Sequence, residues 1–365
     1  MHQHLVDFGH HHWRRAAPPR TPGRPAFLQP GAADGAGRGR FSGLATDPAV
    51  ATTLFTTAAA WGKTPVHAKS SPGFIVNRVA RPYYAEALRL AQEGAADCAT
   101  IDAVMREAGG FRMGPFELMD MIGHDVNFAV THSVWRSFFH DQRFLPSLLQ
   151  QERVDARRLG RKSRRGFYDY RDGAARPVPN SEPAQPAPAK IALFGESTAT
   201  IALAARLAAT GIACERQAAS DGRIAEADGA VLYVTNGRSA TRRAAESGCS
   251  DTVVIDLALD YGTATRIAVS RFTDVPGLAV MRTVVMLTNE AADAVNQGVC
   301  SAIAVDVAMC LGVNYPRGPL AWADSIGLPV VRDVLANLGA AYGEDRYRTS
   351  PLLHQMVFAR RKFHD

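Results

Sequence analysis

Three consecutive histidines near the start of the chain are the residues whose type and spacing most readily suggest chemistry. His10, His11 and His12 stand within the segment DFGHHHWRR, and imidazole nitrogens are common ligands of zinc and other transition metals. The run allows three interpretations: a ligand cluster, a tag-like tail, or a stretch translated in the wrong reading frame. Residues 1–42 show neither a twofold nor a 3.6-residue apolar period, so we expect them to be disordered.

A second candidate site lies in the segment KIALFGESTATIALAARLAATGIACERQ. Its pattern of strand, turn, helix and strand is typical of the start of a dinucleotide-binding unit. Of the three expected glycines only Gly195 is present, because Ser197 and Thr200 occupy the other two places. Those glycines let the backbone approach a pyrophosphate and let the helix pack close to the strand. Although Glu215 stands at the expected distance for a ribose contact, we interpret the unit as a degenerate remnant without cofactor.

The elements that would position such sites follow from periodicity and from helix-breaking residues. Asp47 as N-cap and Pro48 as first helical residue predict a helix that Gly62 ends, and TPVHAK then predicts a short strand. The rest of the chain divides into four parts: a helical region at 71–170, a Pro/Ala-rich linker at 171–189, an α/β unit at 190–275 and a second helical region at 276–365. Within the α/β unit, strands are predicted at KIALF, GAVLYV, TVVIDLAL and TRIAVS.

The two helical regions repeat each other at a constant offset of 204 residues, and GPFELMDMIG at 114–123 matches GPLAWADSIG at 318–327 without a gap. The same offset pairs Pro72-Gly73 with Pro276-Gly277, Arg78 with Arg282, Glu86 with Glu290, Gly94 with Gly298, Asp102 with Asp306, Asp120 with Asp324, and Asp141 with Asp345. A repeat of this length predicts two copies of one structural unit. We interpret the shared Asp and Glu positions as turns, caps and core contacts.

Composition narrows the class of protein. The 365 residues leave room for two or three domains, and 47% apolar with 21% charged residues is ordinary for a globular protein. Six arginines within residues 1–42 account for much of the net charge of +6, so no nucleic-acid-binding face is expected. The five scattered cysteines favour reduced thiols. Without a signal peptide or a membrane-length apolar run, we expect a cytoplasmic protein with no membrane partner.

Three segments, SSPGFIVNRVARPYYAEALRL, GGFRMGPFELMDMIGHDV and LGRKSRRGFYDY, resemble the C-terminal domain of bacterial 3-hydroxyacyl-CoA dehydrogenases. The pattern is similar to the long members with two copies of that domain, associated with 3-hydroxybutyryl-CoA and phenylacetate-type catabolism. The resemblance implies a mainly α fold with an α/β remnant, in which two homologous all-helical domains flank a degenerate Rossmann-like unit. Residues 43–70 would be the last helix and strand of an otherwise truncated NAD-binding domain. One departure is Arg164, where the family has Gly, which would stiffen or reshape its loop.

The resemblance also assigns one catalytic position. In the family a His accepts the hydroxyl proton as hydride passes to NAD, a Glu orients that His, and a Ser and an Asn contact the substrate oxygen. The Asn corresponds to Asn77 in FIVNR. Judged by residue type alone, Asn77 could instead be a buried amide that satisfies a helix end. The second copy has Met281 at the matching position and cannot duplicate the role.

The family's Ser, His and Glu motifs are missing upstream of Gly43, but a shift of one base restores them. Suitable codons for HQHLV, read one base later, give INTSS, and codons for PAFLQPGAADGAGRGR give LHFFNPAPLMALVEVV. These strings contain the family's N-T-S-S, H-F-F-N-P and L-V-E-V-V motifs in their usual order. We therefore infer that residues 2–40 are translated out of frame, in which case the histidine run is not a metal site.

The resemblance implies NAD-dependent oxidation of 3-hydroxyacyl-CoA to 3-oxoacyl-CoA by a homodimer. Because the general base and most of the cofactor site are missing in this frame, we expect negligible activity from the chain alone. Two alternatives stay open: a non-catalytic dimerisation module, and a module that binds CoA thioesters without chemistry.

Overall fold

The computed structural model is mainly helical, as predicted. It describes residues 29–30, 37–38, 48–183, 190–194, 198–217, 230–234, 237, 252–255 and 269–365. Within 1–42 it describes only β1 (Gln29–Pro30) and β2 (Gly37–Arg38), which pair antiparallel; the predicted disorder, the histidine run and the frame shift otherwise lie outside the described residues. Within the described ranges, no group of His, Cys, Asp and Glu is placed to hold a metal, and no helix is long and apolar enough to cross a membrane.

The first helix, α1 (Pro48–Ala60), begins at the predicted proline. Gly62 follows it with φ +70°, a conformation that favours glycine and ends helices. The strand predicted at TPVHAK is wrong: residues 63–69 form neither helix nor strand, because no neighbouring strand in the described part of the chain pairs with them. The Lys69 N–H donates instead to the Val299 carbonyl at 2.7 Å. Of the helix and strand expected at 43–70, the structure therefore contains only the helix.

The region at 71–170 is built from six α-helices. They are α2 (Val76–Val79), α3 (Arg81–Gln92), α4 (Cys98–Glu107), α5 (Pro115–Ile122), α6 (His124–Ser137) and α7 (Leu148–Asp155). Asp97 caps α4 by accepting from the Thr100 N–H at 2.7 Å, and Pro115 is the first residue of α5. Both starts follow the local preferences of N-caps and N-terminal prolines.

The α/β unit contains a four-stranded parallel sheet in the order β4-β3-β5-β6. Its described elements are β3 (Lys190–Phe194), α8 (Thr198–Ala209), β4 (Ala213–Gln217), β5 (Ala230–Val234) and β6 (Thr252–Ile255). The predicted strands in KIALF, GAVLYV and TVVIDLAL are present, and the strand predicted at TRIAVS lies mostly outside the described residues. The β3–α8–β4 order is the strand–helix–strand arrangement that the sequence predicts.

The second helical region repeats the first with one difference in its leading helix. Its elements are α9 (Val280–Asn296), α10 (Ala302–Val313), α11 (Pro319–Ile326), α12 (Leu328–Tyr342) and α13 (Pro351–Ala359). The α9 helix runs unbroken, whereas the first copy divides into α2 and α3 at Ala80. The break lies beside Pro82, which has no backbone N–H to donate; Met286 occupies the matching position of α9.

The two helical regions pack on each other and share one hydrophobic core. Phe111 of the first copy meets Tyr315 of the second edge-on, with ring centroids 5.1 Å apart, and lies 5.6 Å from Trp322. Such offset aromatic contacts add to the free energy gained from burial itself. The apolar faces that each copy needs to cover are therefore covered within one chain.

Ion pairs cross this contact reciprocally. Arg78 Nε donates to Glu290 Oε1 at 2.5 Å, and its repeat partner Arg282 donates from Nε to Glu86 Oε2 at 2.6 Å. All four side chains are buried. Burial acts to raise the pKa of Glu86, but the guanidinium groups of Arg282 and Arg346 hold that pKa below its ordinary value. The repeated Arg and Glu positions are therefore the charged centre of the contact between the copies.

A second repeated device anchors the end of each copy. Asp120 accepts from the backbone N–H groups of residues 167–168, both at 2.9 Å. Asp324 accepts from those of residues 363–364, at 2.9 and 3.1 Å. The offset between these segments is 196 rather than 204 residues, so the ungapped repeat in the sequence does not reveal the correspondence.

The same two segments also contact the other carboxylate that the two copies share. Tyr168 Oη donates to Asp102 at 2.7 Å, and His364 Nε2 lies 3.3 Å from Asp306. Burial raises the pKa of Asp102 to about 7, although Tyr168 and two backbone N–H groups act in the opposite direction. These contacts agree with the interpretation of the shared aspartates as caps and core contacts.

The departure from the family at Arg164 yields a prediction. Arg164 has φ +59°, in the left-handed region that costs a residue with a Cβ roughly 1 kcal/mol or more. Its side chain is half exposed, and its ion-pair partner among the described residues is the exposed Asp172. We expect R164G to raise the free energy of unfolding by about 0.5–1 kcal/mol, as measured by urea titration followed by circular dichroism.

The matched control for R164G is R158G, because Arg158 is also exposed and does not have a positive φ. Glycine there relieves no strain and adds freedom to the unfolded chain, so R158G should be neutral or slightly destabilising. Equal effects of the two substitutions would show that the loop at Arg164 is not strained.

Candidate functional site

Asn77 is carried on the short helix α2, directly after a tight turn. Gly73 and Phe74 have φ +75° and +50°, and a Cβ on Gly73 would lie 2.9 Å from the backbone nitrogen of Arg78. The turn therefore requires glycine. It presents Asn77 half-buried, and its backbone carbonyl accepts from Arg81 Nε at 2.8 Å. No described residue hydrogen-bonds to the side-chain amide of Asn77, so that amide does not cap a helix end and can donate to a ligand.

The second copy repeats the turn without the polar group. Gly277 and Leu278 have φ +78° and +51°, but Met281 at the Asn77 position is 1% exposed and lies in the shared core. The thioether of a buried methionine cannot donate a hydrogen bond. The two copies therefore share this turn but differ in the side chain that follows it, a half-buried amide in the first copy and a buried thioether in the second.

Arg81, the first residue of α3, connects that helix to α6 through hydrogen bonds. Its Nη1 donates to Thr131 Oγ1 at 2.9 Å, and the Thr131 hydroxyl donates to the Asn127 carbonyl at 3.0 Å. The guanidinium also lies over the Tyr84 ring, 4.9 Å from its centroid. Burial lowers the pKa of Arg81. The result is a polar seam between α3 and α6, beginning one helical turn after Asn77.

Sequence reasoning missed Arg81. The signal that could have revealed it is a comparison of the two copies, because Arg81 stands opposite the apolar Val285 at the offset of 204. A charged residue whose repeat partner lies in the core marks a place where the two copies have different surroundings. Arg78, by contrast, matches Arg282 and belongs to the contact between the copies.

One position of the expected glycine pattern lies among the described residues of the α/β unit. Thr200, which stands where the third glycine would be, lies in α8 and is 1% exposed. Its side chain takes the space that glycine leaves for close packing of helix against strand. Glu215 lies half-buried in β4, in register with Ala192, and Gly195 and Ser197 lie outside the described residues.

Comparison with known proteins agrees with this architecture. The family model for the 3-hydroxyacyl-CoA dehydrogenase C-terminal domain matches the chain twice, at residues 73–170 and 277–363. A model for the reduced Rossmann-fold domain of 3-hydroxybutyryl-CoA dehydrogenase matches residues 232–288. The two copies inferred from the repeat therefore each match the same domain.

Individual relatives extend the match. A 3-hydroxyadipyl-CoA dehydrogenase of Escherichia coli (strain K12) is 43% identical over 335 residues, covering 86% of this chain and 65% of the relative. A probable 3-hydroxyacyl-CoA dehydrogenase of Caenorhabditis elegans is 44% identical over 110 residues, covering 30% of this chain and 36% of the relative. The crystal structure of 3-hydroxybutyryl-CoA dehydrogenase from Escherichia coli K12 superposes with a TM-score of 0.73 and 41% identity, covering 87% of this chain and 66% of that one.

The chain thus spans about two thirds of the length of the Escherichia coli proteins, 65% and 66%. The double match of the C-terminal domain model covers half of the present chain, and the turn at Gly73 and the amide of Asn77 lie within it. The chain belongs to the 3-hydroxyacyl-CoA dehydrogenase family.

Proposed function

We propose that this chain binds 3-hydroxyacyl-CoA and 3-oxoacyl-CoA thioesters, as the substrate-binding part of an NAD-dependent (S)-3-hydroxyacyl-CoA dehydrogenase of fatty-acid or phenylacetate catabolism. The observation that carries the proposal is the half-buried, unengaged amide of Asn77 within the first matched domain. A neutral amide N–H can donate to the oxygen on C3 of the acyl group and hold it in place for proton and hydride removal. NAD, the cofactor of the family, would supply the hydride acceptor.

The chain as translated is proposed to turn over its substrate negligibly. The His that would take the hydroxyl proton, with its Glu and the Ser, belongs to the shifted frame of residues 2–40, which lie almost wholly outside the described residues. The α/β unit at 190–275 is proposed to bind no NAD, because Thr200 replaces a required glycine. Sequencing the gene across residues 2–40 tests the frame shift directly, since a shifted frame without H-F-F-N-P would contradict it.

Substitution of Asn77 tests the proposed substrate contact. We expect N77A to weaken the binding of acetoacetyl-CoA roughly fivefold in calorimetric titration, because one neutral hydrogen bond contributes about 1 kcal/mol. The control N180A removes an exposed amide that bonds to Asp97, the N-cap of α4, and should bind as the unsubstituted chain does. Equal affinity of N77A and N180A would contradict the contact.

Turnover is measured on the purified chain with acetoacetyl-CoA and NADH. Oxidation of NADH at a rate near that of an intact relative would contradict the proposed lack of activity.

A second candidate function is a non-catalytic module that pairs helical domains. The reciprocal pairs Arg78–Glu290 and Arg282–Glu86 favour it, because they join two copies of the helical domain through buried side chains of the domains themselves. A homodimer of whole chains is part of the proposal, and the mass measured by sedimentation or by light scattering distinguishes it from a monomer. A chain that binds no CoA thioester but keeps a defined mass would favour the module.

A further inference from the structure

A cavity of about 190 Å³ lies between α3, α6 and the segment leading into α7. Its lining includes four arginines, Arg81, Arg89, Arg143 and Arg346. All of its lining residues belong to the described part of the chain, and none of these is acidic. A guanidinium group attracts an anion only as far as its charge is not already matched by a carboxylate, so the partners of each arginine decide what the cavity can bind.

Three of the four arginines have carboxylate partners outside the cavity lining. The pairs are Arg89 with Glu344, Arg143 with Glu290 and Asp293, and Arg346 with Glu86. Arg81 differs from them, because its guanidinium donates only to neutral oxygens, the Asn77 carbonyl and the Thr131 hydroxyl. No described carboxylate lies within ion-pair distance of Arg81, and the residue is 5% exposed.

A buried guanidinium without an anion is costly. Arginine keeps its charge in proteins, and removing an unpaired charge from water costs several kcal/mol even after relaxation. Arg81 lines the cavity, so an anion in the cavity would supply the charge that Arg81 lacks.

The position of Arg81 relates the cavity to Asn77. The two residues are one helical turn apart, and Arg81 Nε lies 2.8 Å from the Asn77 carbonyl. If Asn77 holds the oxygen on C3 of an acyl group, the carbon at C6 lies three carbon–carbon bonds further, about 4 Å in extended form. A carboxylate at that carbon has the charge that Arg81 lacks.

We propose that this cavity binds a small carboxylate through Arg81, and that the carboxylate is the far end of a dicarboxylic acyl chain carried by CoA; the second part rests on the proposed function. A free carboxylate from solution has the same chemistry and is the other source. Thr131 accepts from Arg81 Nη1 and so helps to hold the guanidinium in place, while the three paired arginines keep their own carboxylates. Arg81 would then determine specificity for the acyl group.

The two sources are distinguished by titrating the full-length chain with adipyl-CoA and with hexanoyl-CoA, which differ only in the terminal carboxylate. We expect the unsubstituted chain to bind adipyl-CoA at least about tenfold more tightly, as for a hydrogen bond to a charged group. In R81M the two affinities should become equal. Equal affinities in the unsubstituted chain would overturn the acyl-chain source.

Thermal unfolding in sodium glutarate tests the free source. A saturable rise in melting temperature that R81M lacks supports a carboxylate site. If neither the preference for adipyl-CoA nor the effect of glutarate depends on Arg81, the proposal is overturned. If the chain binds neither thioester but glutarate still raises its melting temperature through Arg81, the carboxylate site is supported and the proposed function is contradicted. Failure of the site and failure of the proposed function therefore give different results.

A second substitution tests the site without removing Arg81. S147D places a carboxylate on the cavity lining, and S147N is its neutral match; both can cap the start of α7. We expect S147D to melt a few degrees higher than S147N and to lose the preference for adipyl-CoA. If S147D melts no higher than S147N and still prefers adipyl-CoA to hexanoyl-CoA, there is no carboxylate site beside Ser147.

Discussion

Replacing Glu86 with Gln is expected to lower the free energy of unfolding by about 3–5 kcal/mol. Glu86 is 1% exposed, accepts from Arg282 Nε at 2.6 Å and from the Tyr347 hydroxyl at 3.0 Å, and pairs with Arg346 at 3.3 Å. The amide keeps the shape of the side chain but removes the charge, so two buried guanidinium groups lose their main counter-charge. Urea titration followed by circular dichroism measures the change.

The control for E86Q is E344Q. Glu344 pairs with Arg89 at 2.8 Å and with Arg346 at 3.3 Å, but its side chain is 35% exposed, and solvent screening limits such partly exposed pairs to about 1 kcal/mol. E290Q in the second copy should match E86Q, because Glu290 receives Arg78 and Arg143 in the same buried contact. If E86Q cost no more than E344Q, the charges between the copies would not be what holds the two helical regions together.

The repeat allowed the two copies to be predicted, but not how they meet. Arg78, Arg282, Glu86 and Glu290 are all visible as matched positions, yet a match says only that two residues occupy equivalent places. The pairing of Arg78 with Glu290, rather than with Glu86 of its own copy, depends on how α3 and α9 pack. That packing is a long-range property, which local periodicity does not contain.

Asn77 can be predicted from the sequence, whereas the cavity beside it cannot. Asn77 was identified through its resemblance to a family motif, and the structure places it on α2 with a free amide. Arg81 belongs to the same quoted segment but was not singled out, because an arginine on an amphipathic helix ordinarily lies at the surface. Its burial follows from the contact of α3 with α6 and the segment before α7. The missing strand at 63–69 has the same kind of cause: a strand needs a neighbour.

A methyl group on Gly114 is expected to destabilise the fold by about 3–5 kcal/mol, as the sum of overpacking and of lost bonds to a buried carboxylate. The Cβ of G114A would lie 2.3 Å from the side chain of Asp102. Asp102 accepts from the Phe116 and Glu117 N–H groups, both at 2.9 Å, and so holds the first turn of α5. The helix cannot move away from the new methyl without losing both bonds. Urea titration again gives the free energy.

Backbone strain is separated from this clash by G94A. Gly94 has φ +67° and no atom within 4 Å of a built Cβ, so alanine there meets strain but no clash and should cost about 1 kcal/mol. Gly114 has φ −69°, which alanine adopts freely, so its whole effect comes from lack of space. G318A should repeat the result, since its Cβ would lie 2.1 Å from Asp306. If G114A cost no more than G94A, the hydrogen bonds of Asp102 would not be what holds α4 against α5. The Gly-Pro motif would then need another explanation in both copies.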